Sequence, residues 1–244
     1  MVRRFFALAL LSCCWALPMS AAQAQTRAVV ELFTSQGCSS CPPADKLLGE
    51  LASDPSLVVM SIPIDYWDYL GWKDTLANPR NTARQKAYAR ARRDGQVYTP
   101  QAVVNGSVHA LGSDKVAIEQ AIAKSRKSGA MSVSPVMLAV RDGQISLALP
   151  ETEGEASGEA WLCGLTRNVT VAIGRGENNG RTITYHNVAR RWVKLGDWAG
   201  HARSFSVPAQ TLAGDGIDSA AVLVQMGSPE RPQTILGAAF AALH

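Results

Sequence analysis

Cys38-Ser39-Ser40-Cys41 is the stretch of this chain whose residue types and spacing most directly offer chemistry. Two thiols at this separation can close a short-loop disulfide. A Cys-X-X-Cys placed after a strand and at the start of a helix is the arrangement that exchanges disulfides. The helix start supplies unpaired N–H groups and a partial positive charge, both of which favour a thiolate. The thiolate is the attacking species in exchange. Cys38, nearer the helix start and the solvent, is expected to attack, and Cys41, one turn deeper, to resolve the mixed disulfide. A permanent structural staple is the competing reading of the same pair.

The elements that must position the pair can be read from the pattern around it. Ala28–Phe33 reads as a strand entering the cysteines, and Ala44–Ala52 as a helix leaving them, with Leu47, Leu48 and Leu51 on one face. Leu57–Ile64 is a second apolar strand, and Thr82–Arg93 is helix-prone and basic. Gln101–Val104 and Ser107–Leu111 flank Asn105-Gly106, a tight-hairpin signal, and a helix capped by Ser113 follows, with Val116, Ile118, Ala121 and Ile122 as its apolar positions. From about Ser132 the character changes to short strands separated by turn residues. Val136–Val140 and Gln144–Leu149 flank Asp142-Gly143; Val169–Ile173 and Arg181–Val188 flank Glu177-Asn178-Asn179-Gly180; Ser204–Val207, Ala220–Gln225 and Gln233–Ala239 follow. The expected fold is an α/β thioredoxin-like N-terminal domain over 25–129 and a mainly antiparallel, sandwich-like β domain over 130–244.

In a thioredoxin arrangement the proline before the third strand is cis and abuts the dithiol. Pro100 holds that place, and a cis bond is common only before proline. Thr99 is then expected to lend main-chain hydrogen bonds to a bound substrate, so Thr99 and Pro100 are the candidate substrate-binding residues. The alternative is an ordinary trans proline beginning an edge strand. Glu31 lies in the strand that leads to the dithiol, and buried carboxylates are rare unless paired or functional. In thioredoxins an acid in this strand lies behind the cysteines and moves the resolving thiol's proton. Glu31, offset by one position, is the candidate for that role, against the alternative of an edge-facing charge.

Compartment and class follow from the ends and the composition. Arg3 and Arg4 precede an apolar run from Phe5 to about Leu17, and Ala22-Gln23-Ala24 fits an A-x-A cleavage site, so residues 1–24 read as a signal peptide. The run is too short to read first as a spanning helix; a membrane association is expected only through an uncleaved signal, and the location is periplasmic or secreted. Cys13 and Cys14 leave with the signal, so Cys38, Cys41 and Cys163 remain, an odd number in a disulfide-permissive compartment. Without Arg3 and Arg4 the 24 basic residues fall to 22 against 20 acids, a near-neutral balance that argues for no nucleic-acid partner. Hydrophobic residues make up 47% of the chain, enough to bury a core.

A resemblance adds to this reading. Thr34-Ser-Gln-Gly-Cys38-Ser-Ser-Cys41-Pro-Pro-Ala-Asp45, Asp65-Tyr-Trp67 with Leu70-Gly-Trp72, Arg84-Gln85 and Val97-Tyr-Thr-Pro-Gln101 together resemble a bacterial exported family, domain of unknown function 1223. Gly176-Glu-Asn178 with Gly180-Arg181 resembles the same family, so the likeness spans nearly the whole mature chain. It implies a thioredoxin-like fold and leaves the substrate unassigned. One departure from ordinary thioredoxins stands out: Pro42-Pro43 follows Cys41, which pushes Cys41 away from helical angles and starts the helix at Pro42 or later.

The remaining candidates carry less. Arg80, Arg84, Lys86, Arg90, Arg92 and Arg93 read as a solvated helix face, with Arg84 and Gln85 alternatively turned inward toward the Asp65–Trp67 loop and Asp65 as a partner for Arg84. Tyr66, Trp67, Tyr69 and Trp72 either line a groove beside the dithiol or pack between the two halves. Cys163 reads as a buried free thiol. His109, His186, His201 and His244 have no ligand-like spacing, so neither a metal nor another cofactor is expected. These residues point to an exported thiol–disulfide oxidoreductase acting on protein or small-molecule thiols and disulfides. The alternatives are Cu(I) binding by the two thiolates, or a non-enzymatic binding protein with a structural Cys38–Cys41 disulfide.

Overall fold

The structure, a computed structural model, describes residues 25–154 and 156–243. Residues 1–24, the expected signal peptide with Cys13 and Cys14, and His244 lie outside the described residues. Strand β1 (Ala28–Thr34) runs to the cysteine loop, helix α1 (Pro42–Leu51) leaves it, and β2 (Leu57–Pro63) returns parallel to β1. A long connection containing a short 3-10 turn leads to α2 (Pro79–Arg92). Strands β3 (Gln101–Val104) and β4 (Val108–Leu111) form a hairpin, β3 antiparallel to β1, and α3 (Lys115–Lys127) follows.

Local signals explain most of these boundaries. Pro42 and Pro43 occupy the first turn of α1, where a missing N–H breaks no helical bond. Cys41 is the N-cap, yet its backbone is helical (φ −78°, ψ −35°), contrary to the extended geometry expected before a proline. Asn78 caps α2, its Oδ1 accepting from Arg80 N at 2.9 Å, so that helix begins three residues before the expected Thr82. Asp114, rather than Ser113, caps α3, its Oδ1 accepting from Ala117 N at 2.9 Å. Asn105 and Gly106 both have positive φ (48° and 69°), as a tight Asn-Gly hairpin turn requires.

The second half is built from β5 (Met137–Arg141), β6 (Gln144–Leu149), β7 (Gly158–Ala172), β8 (Thr182–Trp198), β9 (Arg203–Pro208), β10 (Ser219–Ser228) and β11 (Arg231–Ala242). Strands β7 and β8 are 15 and 17 residues long, extending well beyond the short stretches expected from the turn spacing. The main sheet is mostly antiparallel, with strand order β11-β10-β7-β8-β2-β1-β3-β4. It crosses from one half of the chain to the other where β8 meets β2 in parallel, at Ser61 and Val188. Strands β5, β6 and β9 form a small second sheet. Its inward residues Leu138, Ile145 and Leu147 pack with Leu162, Val222, Val224 and Leu236 of the main sheet.

Alternation along β1 divides the core between two faces. Val30 and Leu32 pack with Leu47, Leu48 and Leu51 of α1 and with Ile118 and Ile122 of α3. Val29 and Phe33 face the other way, into a cluster with Tyr88 of α2 and with Cys163, Leu165, Leu223 and Ile235 from the second half. The sheet curls around this second cluster until β11 reaches the β3–β4 hairpin, where Ile235 N donates to Asn105 O at 2.9 Å. Both halves of the chain therefore contribute strands to the main sheet and side chains to this second cluster.

Candidate functional site

Cys38 and Cys41 are joined by a disulfide, with their Cα atoms 5.4 Å apart. The loop that carries them is held by its own backbone. Cys38 N donates to Ser35 O (3.2 Å), Cys41 N to Cys38 O (3.1 Å), and Gly37 N to Ser35 Oγ (3.1 Å). Both cysteines are buried, Cys38 at 2% exposure and Cys41 at 0%, while the intervening Ser39 and Ser40 are exposed. The first two positions of α1 are prolines, which carry no N–H, so two donors that an ordinary helix start would offer a thiolate are missing.

The Thr99–Pro100 peptide bond is cis, and Thr99 lies against the dithiol loop. Ser40 Oγ donates to Thr99 O at 3.5 Å and is itself 3.4 Å from Cys38 Sγ. Trp67 closes the same side, with its Nε1 donating to Thr99 Oγ1 at 2.7 Å. Gly37 permits this approach, since a Cβ there would sit 3.0 Å from Trp67 Cβ and 3.2 Å from its carbonyl oxygen. Tyr69, exposed at 77%, stacks on Trp67. Trp72 donates from its Nε1 to Gln36 Oε1 at 2.8 Å within the first half, while its ring reaches across to lie over Gly174 of the second. Within the aromatic cluster Trp67 thus flanks the dithiol loop and Trp72 packs between the halves.

The β7–β8 loop covers the dithiol from the second half of the chain. Asn178 Nδ2 donates to Gln36 O and to Cys38 O, each at 2.9 Å, and Glu177 Oε2 accepts from Ser39 N at 3.2 Å. These two residues appear in the sequence only as part of a family-like stretch; no spacing signal links them to cysteines 140 residues away. Asp74 secures the other side, accepting Gln36 N (2.8 Å), Leu76 N (2.8 Å) and Ala77 N (3.1 Å). Burial raises the Asp74 pKa despite these donors.

Glu31 is not behind Cys41. It follows the Val29–Phe33 side of β1, opposite the face on which α1 packs, because neighbouring strand residues alternate. There it is fully buried and paired. Arg84 Nε donates to Glu31 Oε1 at 2.6 Å, and Arg84 Nη2 and Tyr88 Oη both donate to Glu31 Oε2. Arg84 also donates to Tyr88 Oη (2.6 Å) and Gln225 Oε1 (3.0 Å), and its guanidinium stacks on Trp192 at 4.8 Å. Burial is the largest single influence on Arg84 and acts to lower its pKa, but the charge and hydrogen bonds of Glu31, together with Tyr88 and Cys163, outweigh it and raise the pKa. The expected Arg84–Asp65 pairing is replaced: Asp65 accepts from Thr82 Oγ1 at 2.6 Å. Gln85 does turn inward, to Tyr98 O (2.7 Å) and Gln101 Oε1 (2.8 Å). Cys163 is a buried free thiol near this cluster, its pKa raised by burial.

The buried acid near Cys41 is Asp45, one helical turn further along α1. Its backbone N donates to Cys41 O at 3.1 Å, and the residue is 1% exposed. Burial pushes its carboxyl up to about 8. In the sequence it sits within the apolar stripe Ala44–Leu47–Leu48–Leu51, and a lone acid in such a stripe is the signal that marks it.

The chain resembles the X-ray crystal structure of a protein from Agrobacterium tumefaciens, with 33% identity, a TM-score of 0.80, and coverage of 91% of this chain and 97% of that one. No curated protein matches it. The family model for a protein of unknown function (DUF1223) matches residues 29–225, a span that runs from β1 through the dithiol and the Asn178 loop to Gln225, and the chain belongs to that family.

Proposed function

We propose that the chain is an exported thiol–disulfide oxidoreductase, periplasmic or secreted, with a thioredoxin-like unit over 25–129 and a β-rich unit over 130–244. The observation that carries this reading is the bonded Cys38–Cys41 pair between the end of β1 and the start of α1, with Thr99 against it. The order β1-α1-β2-α2-β3-β4-α3 supports the thioredoxin-like assignment. In the reducing direction the Cys38 thiolate attacks one sulfur of a substrate disulfide, forming a mixed disulfide and expelling a substrate thiolate. The Cys41 thiolate then attacks Cys38 Sγ, restoring Cys38–Cys41 and releasing the second substrate thiolate. Two electrons pass from the dithiol to the substrate; the oxidising direction reverses each step. Thr99 and Pro100 form the docking edge for the substrate, beside Trp67.

A structural staple is the second reading, favoured by the near-complete burial of both sulfur-bearing residues and by the Asn178 clamp. The reduction potential of the purified protein separates the two, with Cys38→Ser and Cys41→Ser as controls. A potential above about −300 mV supports the redox carrier, and one below it the staple.

A further inference from the structure

Asp45 differs from every other buried acid around the core. Glu31 has Arg84 and Tyr88, and Asp74 accepts three backbone N–H groups. Neither carboxyl oxygen of Asp45 has a hydrogen-bond partner, and both are fully shielded from solvent. The Thr34 hydroxyl is close enough to oppose, weakly, the effect of burial on the carboxyl, but it makes no well-formed hydrogen bond to it or to any other group. Two more orphaned atoms belong to the same region, Tyr185 Oη and, in the residue that clamps Cys38, Asn178 Oδ1. An unpaired buried polar atom costs on the order of 1–3 kcal/mol, and such groups are uncommon without a role.

The position of Asp45 relative to the dithiol follows from the helix. Cys41 has helical backbone angles, so the residue four positions on projects from the same face of α1. Both side chains are buried on that face, at 0% and 1% exposure. The titratable groups that face Asp45 are Asp74, from the connection before α2, and Tyr185, from β8; β1 contributes only Thr34, and α1 itself Cys41. No cation is among them, so the site favours a neutral carboxyl over a carboxylate, and burial sets its affinity for a proton near that of a thiol.

We propose that Asp45 is the proton acceptor for the Cys41 thiol, an assignment that rests on the oxidoreductase reading above. During resolution the Cys41 S–H proton passes to the Asp45 carboxylate, directly or through one water. The Cys41 sulfur then bonds to Cys38 Sγ as the Cys38–substrate bond breaks, and the departing substrate thiolate takes its proton from solvent. In the opposite direction the Asp45 carboxyl returns its proton to Cys41 as that sulfur leaves. A base whose proton affinity is close to that of the thiol is well matched to this transfer.

The test is stopped-flow mixing of the reduced protein with 5,5′-dithiobis(2-nitrobenzoate) across a pH series. The first thionitrobenzoate released reports attack by Cys38, and the second reports resolution by Cys41. Asp45→Asn is expected to slow the second phase roughly 100-fold near neutral pH and to remove its pH inflection. The first phase should stay within about twofold, because Cys38 loses no proton to Asp45. A second phase with the wild-type rate and pH profile overturns the proposal. Wild-type protein that releases no second equivalent overturns the oxidoreductase reading, and this assignment with it. If the variant does not fold, infrared spectra of the wild type decide: a protonated-carboxyl band that titrates with the resolution rate supports Asp45, and its absence overturns it.

Discussion

Glu31 and Arg84 meet inside the curled main sheet, Nε to Oε1 at 2.6 Å, on the face of β1 turned away from the dithiol. The carboxylate is fully buried and the arginine side chain is 15% exposed. The first testable consequence concerns stability. Arg84→Ala leaves Glu31 and Tyr88 without their cation and should cost about 3–5 kcal/mol, read as a shift of the urea midpoint. The double change Glu31→Gln with Arg84→Met removes both charges and should recover much of that loss. A single variant as stable as wild type would show that the pair contributes nothing.

How much of this was legible in the sequence depends on whether a signal is local. The Cys-X-X-Cys loop, the Asn105-Gly106 turn and the Thr99–Pro100 approach to the dithiol are each encoded within a few residues, and the structure places them as read. Glu31 was misplaced because a single step along a strand moves a side chain to the opposite face. Its partner could not be read either: Arg84 lies 53 residues away on a helix that carries three further arginines, Arg80, Arg90 and Arg92, with nothing local to single it out. The Asn178 clamp and the β2–β8 joint depend on how the two halves pair, and no local pattern states that pairing.

The Asn178 clamp leads to a kinetic prediction. Two side-chain hydrogen bonds hold the carbonyls of Gln36 and Cys38, and together they contribute about 1–3 kcal/mol to keeping that loop closed. Asn178→Ala should therefore speed reduction of Cys38–Cys41 by dithiothreitol by about tenfold or more. Unchanged reduction kinetics would mean that the β7–β8 loop merely rests on the dithiol.

The order of thiol reactivity is a separate matter. Cys38 is 2% exposed and flanked by the exposed Ser39, whereas Cys41 is fully buried at the start of α1. After mild reduction a brief pulse of iodoacetamide should label Cys38 first, as peptide mapping would show. Labelling of Cys41 first would reverse the roles of attacker and resolver.

The pH dependence of stability offers a reading of Asp45 that needs no substrate. In the unfolded chain its carboxyl titrates at the ordinary 3.8, and in the oxidised folded protein burial raises it to about 8. Below pH ~4 both states hold the proton, and the group contributes no pH dependence. Between there and pH ~8 the folded state keeps the proton while the unfolded state has lost it, so stability falls by about 1.4 kcal/mol per pH unit from this group. Above that range both states are ionised and the slope disappears. Asp74, also raised by burial, adds in the same direction. His109 and His186, lowered by burial, act oppositely: the unfolded state takes up protons first as pH falls, so they make stability rise with pH through the region just below 6.5. The difference between wild type and Asp45→Asn cancels the histidine contributions and isolates Asp45 together with its coupling to Asp74. Urea titrations from about pH 4 to pH 9 should show the variant gaining on wild type steadily across the window and reaching a plateau above it. Parallel curves for the two proteins would mean that Asp45 is ionised in the folded state throughout, and that something other than a retained proton stabilises it beneath the dithiol.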